Sequence, residues 1–247
     1  MRSNPLALIC AVVPFLQACL AAPTVDLGQI VIASHSTNAS DIRAALKKSS
    51  IIPDVLDDFT PSVSLHLSYP PSHSDVSLGN RLSPSDVKAS PFFSISPLSL
   101  FLTPSRTLKP DTTYTLALTD PDATSRSDPN KGEMCHWIAT NITSESSTAE
   151  TRDVVFTPSF DELMPYIPPS PPPKTGYHRY VFVLLAPSSS TEASPNAVRT
   201  TGLGLKKPKD RPHWGYGKVG KGVRDWAEDN DLVVVGANFF YTENEKQ

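Results

Sequence analysis

The sequence is short of cysteine. Of its 247 residues three are Cys, and Cys10 and Cys19 fall in an N-terminal apolar stretch, which leaves Cys135 alone. With no intramolecular disulfide available to the remainder, the fold must rest on its core. A surplus of positive charge is missing too: 22 Lys and Arg stand against 25 Asp and Glu, and no basic stripe occurs. That argues against nucleic acid as the main partner. It also removes the usual electrostatic route to anionic membranes, so lipid recognition would have to be local, through a head-group pocket. There is no G-x-S-x-G elbow, no H-E-x-x-H and no C-x-x-C, the sequence signals of an acyl hydrolase, a zinc protease and a dithiol centre. The longest apolar run, Leu6 to Leu20, is broken by Pro14, and it is too short for a stable membrane insertion.

Residues 1–21 read instead as a signal peptide. Arg2 supplies the positive start, Leu6 to Leu20 the apolar core, and Ala21 and Ala22 the small residues of a cleavage site. Leu16-Gln17-Ala18-Cys19 also fits a lipoprotein box. Two N-glycosylation triplets, at Asn38 and Asn141, favour secretory transit over that alternative. The expected location is outside the cell, or in the secretory pathway or vacuole. Residues 22–247 are enough for one well-packed domain.

Proline is what the chain has in excess, 25 residues, about twice the ordinary usage. The prolines punctuate short segments. Ser40-Asp41 followed by Ile42, Ala45 and Leu46 predicts a capped helix, and Pro53 to Phe59 a helical turn. Val63, Leu65, Leu67 and Tyr69 alternate with polar residues, as in a strand with one buried face, and Tyr114, Leu116 and Leu118 repeat the pattern. Next, His136, Ile138, Thr140 and Ile142 are expected on one face of a strand, with Trp137, Ala139 and Asn141 on the other. The apolar run Arg179 to Ala186 predicts a central strand buried on both faces. Residues 222–230 suit a helix turning Val223, Trp226 and Ala227 inward, and 232–241 a last strand bent at Gly236. No βαβ rhythm appears, so the fold class is mainly β, an antiparallel core with peripheral helices. Residues 187–209, rich in Ser, Pro and then Lys, read as a surface insertion.

Three clusters could carry chemistry. Thr119-Asp120-Pro121-Asp122-Ala123 ends an apolar strand. It is either an ordinary Asp-Pro turn or a carboxylate held by proline at a pocket rim. Cys135-His136-Trp137 places an imidazole on an apolar face, where a core histidine and a ligand group are both possible. Gly176-Tyr177-His178-Arg179-Tyr180 opens the central strand. A buried Arg179 needs a carboxylate, and Asp122 or Asp120 can supply it. Gly215 to Gly220 matches G-x-G-x-x-G by letter but follows Asp210-Arg211-Pro212-His213-Trp214 rather than a strand, so it reads as a loop leading into the last helix.

In this order and spacing the clusters resemble the phosphatidylethanolamine-binding protein family. Leu118 to Ala123 with Ser125-Arg126-x-Asp128-Pro129 is similar to its first signature, Cys135-His136 to its second, and Pro171-Pro172 with Gly176-x-His178-Arg179-Tyr180 to its third. Trp214-Gly215-Tyr216-Gly217 and Gly236 to Tyr241 look like its fungal and microbial branch, with carboxypeptidase Y inhibitor-like members. The resemblance implies a large central sheet packed by a smaller one, and a pocket for phosphate, a phospholipid head group or a carboxylate. Asp120, His136 and His178 would line it, with Pro121, Pro171 and Tyr180 nearby and Asp122–Arg179 as a structural ion pair. Departures stand at Thr124 and Ser170, where the family usually has Pro and Gly, and at Met134, where many members have an aromatic residue.

Two imidazoles can donate hydrogen bonds to an anion and gain charge as the pH falls. With no activated nucleophile in the sequence, the leading expectation is a binding module without cofactor or metal, and the resemblance adds inhibition of serine proteases or carboxypeptidases. The alternative is an accessory protein or enzyme of fungal secondary-metabolite biosynthesis acting on an anhydride or carboxylate, with His136 or His178 as general base. A signalling regulator would also suit the family but conflicts with a signal peptide.

Overall fold

The computed structural model describes residues 38–98, 112–143, 159–188 and 204–247, all within one compact unit, 32–247. The segment read as a signal peptide lies outside the described residues, as does most of the 187–209 insertion. Residues 204–209 are tied down: the Lys206 amide donates to Asn230 Oδ1 at 2.7 Å and its ammonium to the Asp229 carbonyl at 3.0 Å.

Helix α1 (Ala39–Lys48) begins earlier than the Ser40-Asp41 pattern suggests. Asn38 is its N-cap, the side-chain oxygen accepting from the Asp41 N–H at 2.9 Å. Its buried residues are Ala39, Ile42 and Leu46. The helical turn expected over 53–59 is displaced to α2 (Ile51–Asp54), in which Ile52 is non-helical, as a residue before proline is pushed to be.

Among the described residues nine strands follow: β1 (Val63–Tyr69), β2 (Ser74–Asp75), β3 (Asn80–Arg81), β4 (Phe92–Pro97), β5 (Thr113–Asp120), β6 (Met134–Thr143), β7 (Asp161–Met164), β8 (His178–Pro187) and β9 (Leu232–Thr242). A short 3-10 turn (His213–Gly215) and α3 (Val223–Asp229) precede β9. The large sheet has the order β3-β9-β8-β5-β6-β7 and the small one β2-β1-β4. Every pairing is antiparallel except β3 with β9. With β9 and β5 on its flanks and layers over both faces, β8 is buried from His178 to Ala186, which is why its sequence is a continuous apolar run.

One core cluster packs the helices and Trp214 on one face of the large sheet through Cys135, Ile138, Val181, Val183 and Phe239. The other fills the space between the sheets with Leu65, Tyr69, Phe93, Leu116, Trp137, Tyr180, Phe182 and Phe240. Each such side chain stabilises the fold by about 1.5–3 kcal/mol.

Two expectations about strand faces need correction. Strand β1 has little exposed face, since Ser64 and Ser68 are buried as well. In β6, Ile142 belongs with Trp137 and Ala139, not with Ile138. The register slips between Tyr114 and Leu116, and Asn141 there takes a left-handed φ of 59°. That bulge swaps the faces beyond it. The bend at Gly236 is a further slip, which leaves Val235 unpaired between Leu184 and Leu185. Gly236 is also a close approach: a Cβ there would lie 2.9 Å from the Val63 carbonyl oxygen.

Candidate functional site

Antiparallel pairing brings the end of β5 and the starts of β6 and β8 to one edge of the large sheet. Asp120 is opposite Met134, and Thr119 opposite both Cys135 and Val181. Because Leu118 pairs with Trp137 and Thr119 with Cys135, His136 is the extra residue of a bulge, and bulges re-aim side chains. Asp120, His136, His178 and Tyr180 therefore meet. His178 Nδ1 is 2.9 Å from Asp120 Oδ2. The Tyr180 ring meets His136 edge-on at 5.2 Å and stacks on His178 at 6.4 Å and on Phe240 at 5.3 Å.

All four residues are nearly closed off from solvent, none more than 6% exposed, so their hydrogen bonds determine what they can offer. Asp120 Oδ1 accepts from the Asp122 N–H at 2.8 Å. A carboxylate only accepts, so Nδ1 of His178 carries the proton directed at Asp120. His178 Nε2 is 2.9 Å from Thr175 Oγ1, whose hydroxyl in turn donates to the Pro172 carbonyl at 2.8 Å. Each nitrogen of His178 thus has a polar atom of the protein within hydrogen-bond distance. The Tyr180 hydroxyl lies between the Asp120 carboxylate and the Ser170 backbone, and burial followed by the Asp120 charge raises its pKa well above the ordinary value.

His136 differs. Its Nδ1 donates to the Ile167 carbonyl at 3.0 Å, while the Ile167 N–H donates to the His136 carbonyl at 2.9 Å. That pair of bonds ties β6 to the Pro-rich rim. Arg211 braces it, donating to the carbonyls of Cys135 at 3.1 Å, His136 at 3.2 Å and Pro165 at 2.8 Å. The Nε2 of His136 has no partner among the described residues. Burial lowers its pKa, Asp120 and the Ile167 bond oppose that, and Arg211 and His178 reinforce it. Each His178 nitrogen thus faces a polar atom of the protein, whereas His136 is paired through Nδ1 alone among the described residues.

Pro121 and Pro171 are both buried. The Pro171 carbonyl accepts from Asn244 at 2.9 Å, and its neighbours Ser170 and Pro172 reach the cluster through their backbones. Asp122 and Arg179 form a separate unit. Arg179 donates from Nε to Asp122 Oδ2 at 2.9 Å and from a terminal nitrogen to Oδ1 at 2.6 Å. Its remaining nitrogen takes the Ser49 and Ser50 carbonyls and Asp54. Burial opposes the guanidinium charge, but the Asp122 and Asp54 carboxylates outweigh it and hold the pKa above the usual arginine value.

Of the glycosylation acceptors, Asn38 is engaged as the α1 cap, and the Asn141 amide meets Asp161. Among the described residues no group of three His, Cys, Asp or Glu could hold a metal ion, and no helix is long and apolar enough to cross a membrane.

Sequence reading missed several participants. Glu133, just before the β6 apolar run, gave the same signal as Arg179. It is buried against the start of α3, accepting from Thr119 Oγ1 at 3.0 Å and the Val223 N–H at 3.2 Å. Burial pushes its pKa up to about 7, against its hydrogen bonds and Arg224. A Cβ at Gly222 would sit 2.2 Å from its Oε1. Arg211 stood in a quoted segment and Thr175 just before the Gly176 motif, but no residue pattern reveals that they would grip backbone carbonyls.

The profile of the family described as phosphatidylethanolamine-binding protein matches residues 72–240. The chain is 34% identical over 212 residues to the carboxypeptidase Y inhibitor of Saccharomyces cerevisiae, covering 80% of this chain and 92% of that protein. A crystal structure of carboxypeptidase Y inhibitor complexed with the cognate proteinase superposes with a TM-score of 0.71 at 33% identity, covering 84% of this chain and 97% of that one. A phosphatidylethanolamine-binding protein from Plasmodium vivax, 24% identical, shares the fold with a TM-score of 0.58 over 82% of this chain and 97% of that one.

Proposed function

This chain belongs to the phosphatidylethanolamine-binding protein family, and on that premise we propose a secretory-pathway or vacuolar inhibitor of a serine-type carboxypeptidase, with a small-oxyanion site formed by Asp120, His136, His178 and Tyr180. The observation that carries the inhibitor reading is the near full-length similarity to carboxypeptidase Y inhibitor. A binding role for the site is supported by its hydrogen bonding, which holds the polar groups in place and leaves one imidazole nitrogen open. Cys135 is no nucleophile: burial pushes its thiol up to about 12.

A second reading, an enzyme of small-molecule biosynthesis, has one observation in its favour. Asp120, His178 and Thr175 stand in line as carboxylate, imidazole and hydroxyl, the order of a hydrolase relay. Against it, the Thr175 hydroxyl donates to the Pro172 carbonyl, so its proton is not directed at the imidazole. Titrating the purified protein into a serine carboxypeptidase assay, with ester hydrolysis by the protein alone as a second readout, tests both readings. Stoichiometric inhibition without hydrolysis is the expected result. Hydrolysis abolished by Thr175→Val would overturn it in favour of the enzyme.

A further inference from the structure

Resting on the oxyanion-site reading, we infer that the site selects an acid that still carries a proton: a phosphomonoester in its singly protonated form, whose O–H donates to Nε2 of His136. The argument starts from a count of hydrogen-bond valences. The described donors of the cluster are already used. His136 Nδ1 serves the Ile167 carbonyl, His178 Nδ1 and the Tyr180 hydroxyl serve Asp120, the Asp122 N–H serves Asp120 Oδ1, and the Thr175 hydroxyl serves Pro172. What remains open is acceptor capacity, at His136 Nε2 and in the spare lone pairs of the Asp120 carboxylate.

The tautomer of His136 is fixed by the Ile167 carbonyl at Nδ1. Ile167 is bound to it by two reciprocal hydrogen bonds, and a carbonyl oxygen can only accept. Arg211 holds the surrounding backbone through three carbonyls. Charging the ring to create a donor at Nε2 means placing a buried cation beside the Arg211 guanidinium and the His178 ring, with Asp120 from β5 as the favourable charge. Tyr180 of β8 presents its neutral ring edge-on. A fully ionised oxyanion would thus meet Nε2 lone pair against lone pair, whereas an O–H closes the contact. Phosphomonoesters keep that proton up to a second pKa of about 6.

The pH dependence alone cannot locate the proton, because a charged His136 with a dianion holds the same number. Methyl phosphate and methyl sulfate separate the cases: at about pH 5 both are monoanions of the same shape, and only the phosphate has an O–H. Calorimetry on the wild-type protein should give methyl phosphate at least tenfold tighter binding than methyl sulfate. The phosphate affinity should fall as its second proton is lost, with the sulfate unaffected. In His136→Gln, whose amide can donate, the preference should shrink. Equal affinities for the two anions in the wild type would overturn the inference while leaving the oxyanion site standing. Failure of both to bind between about pH 5 and pH 8 would remove the site reading itself and this inference with it.

Discussion

Asp120 and Asp122 flank a single proline, and both are buried, yet they serve opposite ends. Asp122 is saturated. Three donors of Arg179, its backbone N–H included, converge on it, and the same guanidinium reaches the corner after α1. Nothing is left over for a ligand. Asp120 holds one backbone amide, one imidazole and the Tyr180 hydroxyl, and beside it His136 keeps Nε2 open. The two carboxylates serve opposite sides of the sheet because their partners, His178 and Arg179, are consecutive in β8, where successive side chains alternate, and Asp122 lies beyond the end of β5. Burial and charge are alike in the two places, and what separates structure from site is whether the hydrogen-bond valences are all spent.

Breaking the saturated region should have the largest effect. Arg179→Met leaves Asp122 buried and unpaired, which typically costs about 3–5 kcal/mol. For a domain of this size that lowers the melting temperature by roughly 6–20 °C. A thermal scan within a degree or two of wild type would show that the pair does not hold the fold together.

Glu133 sharpens the comparison, as a buried carboxyl with hydrogen bonds but no ion pair among the described residues. Its folded pKa is raised from 4.5 to about 7. A raised pKa favours the native state below the unfolded value, and that advantage is lost as the pH rises through about 7. Glu133→Gln keeps the acceptor and removes the charge. It should therefore stabilise the protein by roughly 2–3 kcal/mol at pH 8 and by almost nothing at pH 4. Denaturant unfolding at the two pH values checks this, and an equal effect at both would contradict it.

The smallest effect should come from the outer partner of Arg179. Asp54 is about half exposed, against 1% for the Asp122 side chain. Asp54→Ala should cost under about 1 kcal/mol, and a loss like that of Arg179→Met would mean that the two carboxylates had been ranked wrongly.

Much of this was legible in the residues. The apolar run at β8 announced a central strand, and a charged residue at its mouth demanded a carboxylate. The signatures at Asp120, His136 and His178 named three side chains that the fold brings together. What could not be read were events that depend on a missing or shared backbone position. The bulge at Asn141 reversed the face of Ile142 because a register slip is a property of two strands. The closure of His178 depends on Thr175, and the tautomer of His136 on the Ile167 carbonyl, and a backbone oxygen has no letter in a sequence. Glu133 was visible but passed over, since a lone carboxylate before a strand points to no partner until α3 is folded against it.

The division between spent and open valences is tested most directly by nitrogen NMR on protein labelled with 15N-histidine, titrated with methyl phosphate. The account predicts that Nε2 of His136 shifts on binding while its Nδ1 and both nitrogens of His178 stay nearly fixed. Binding that moves the His178 nitrogens and leaves His136 Nε2 unchanged would contradict it.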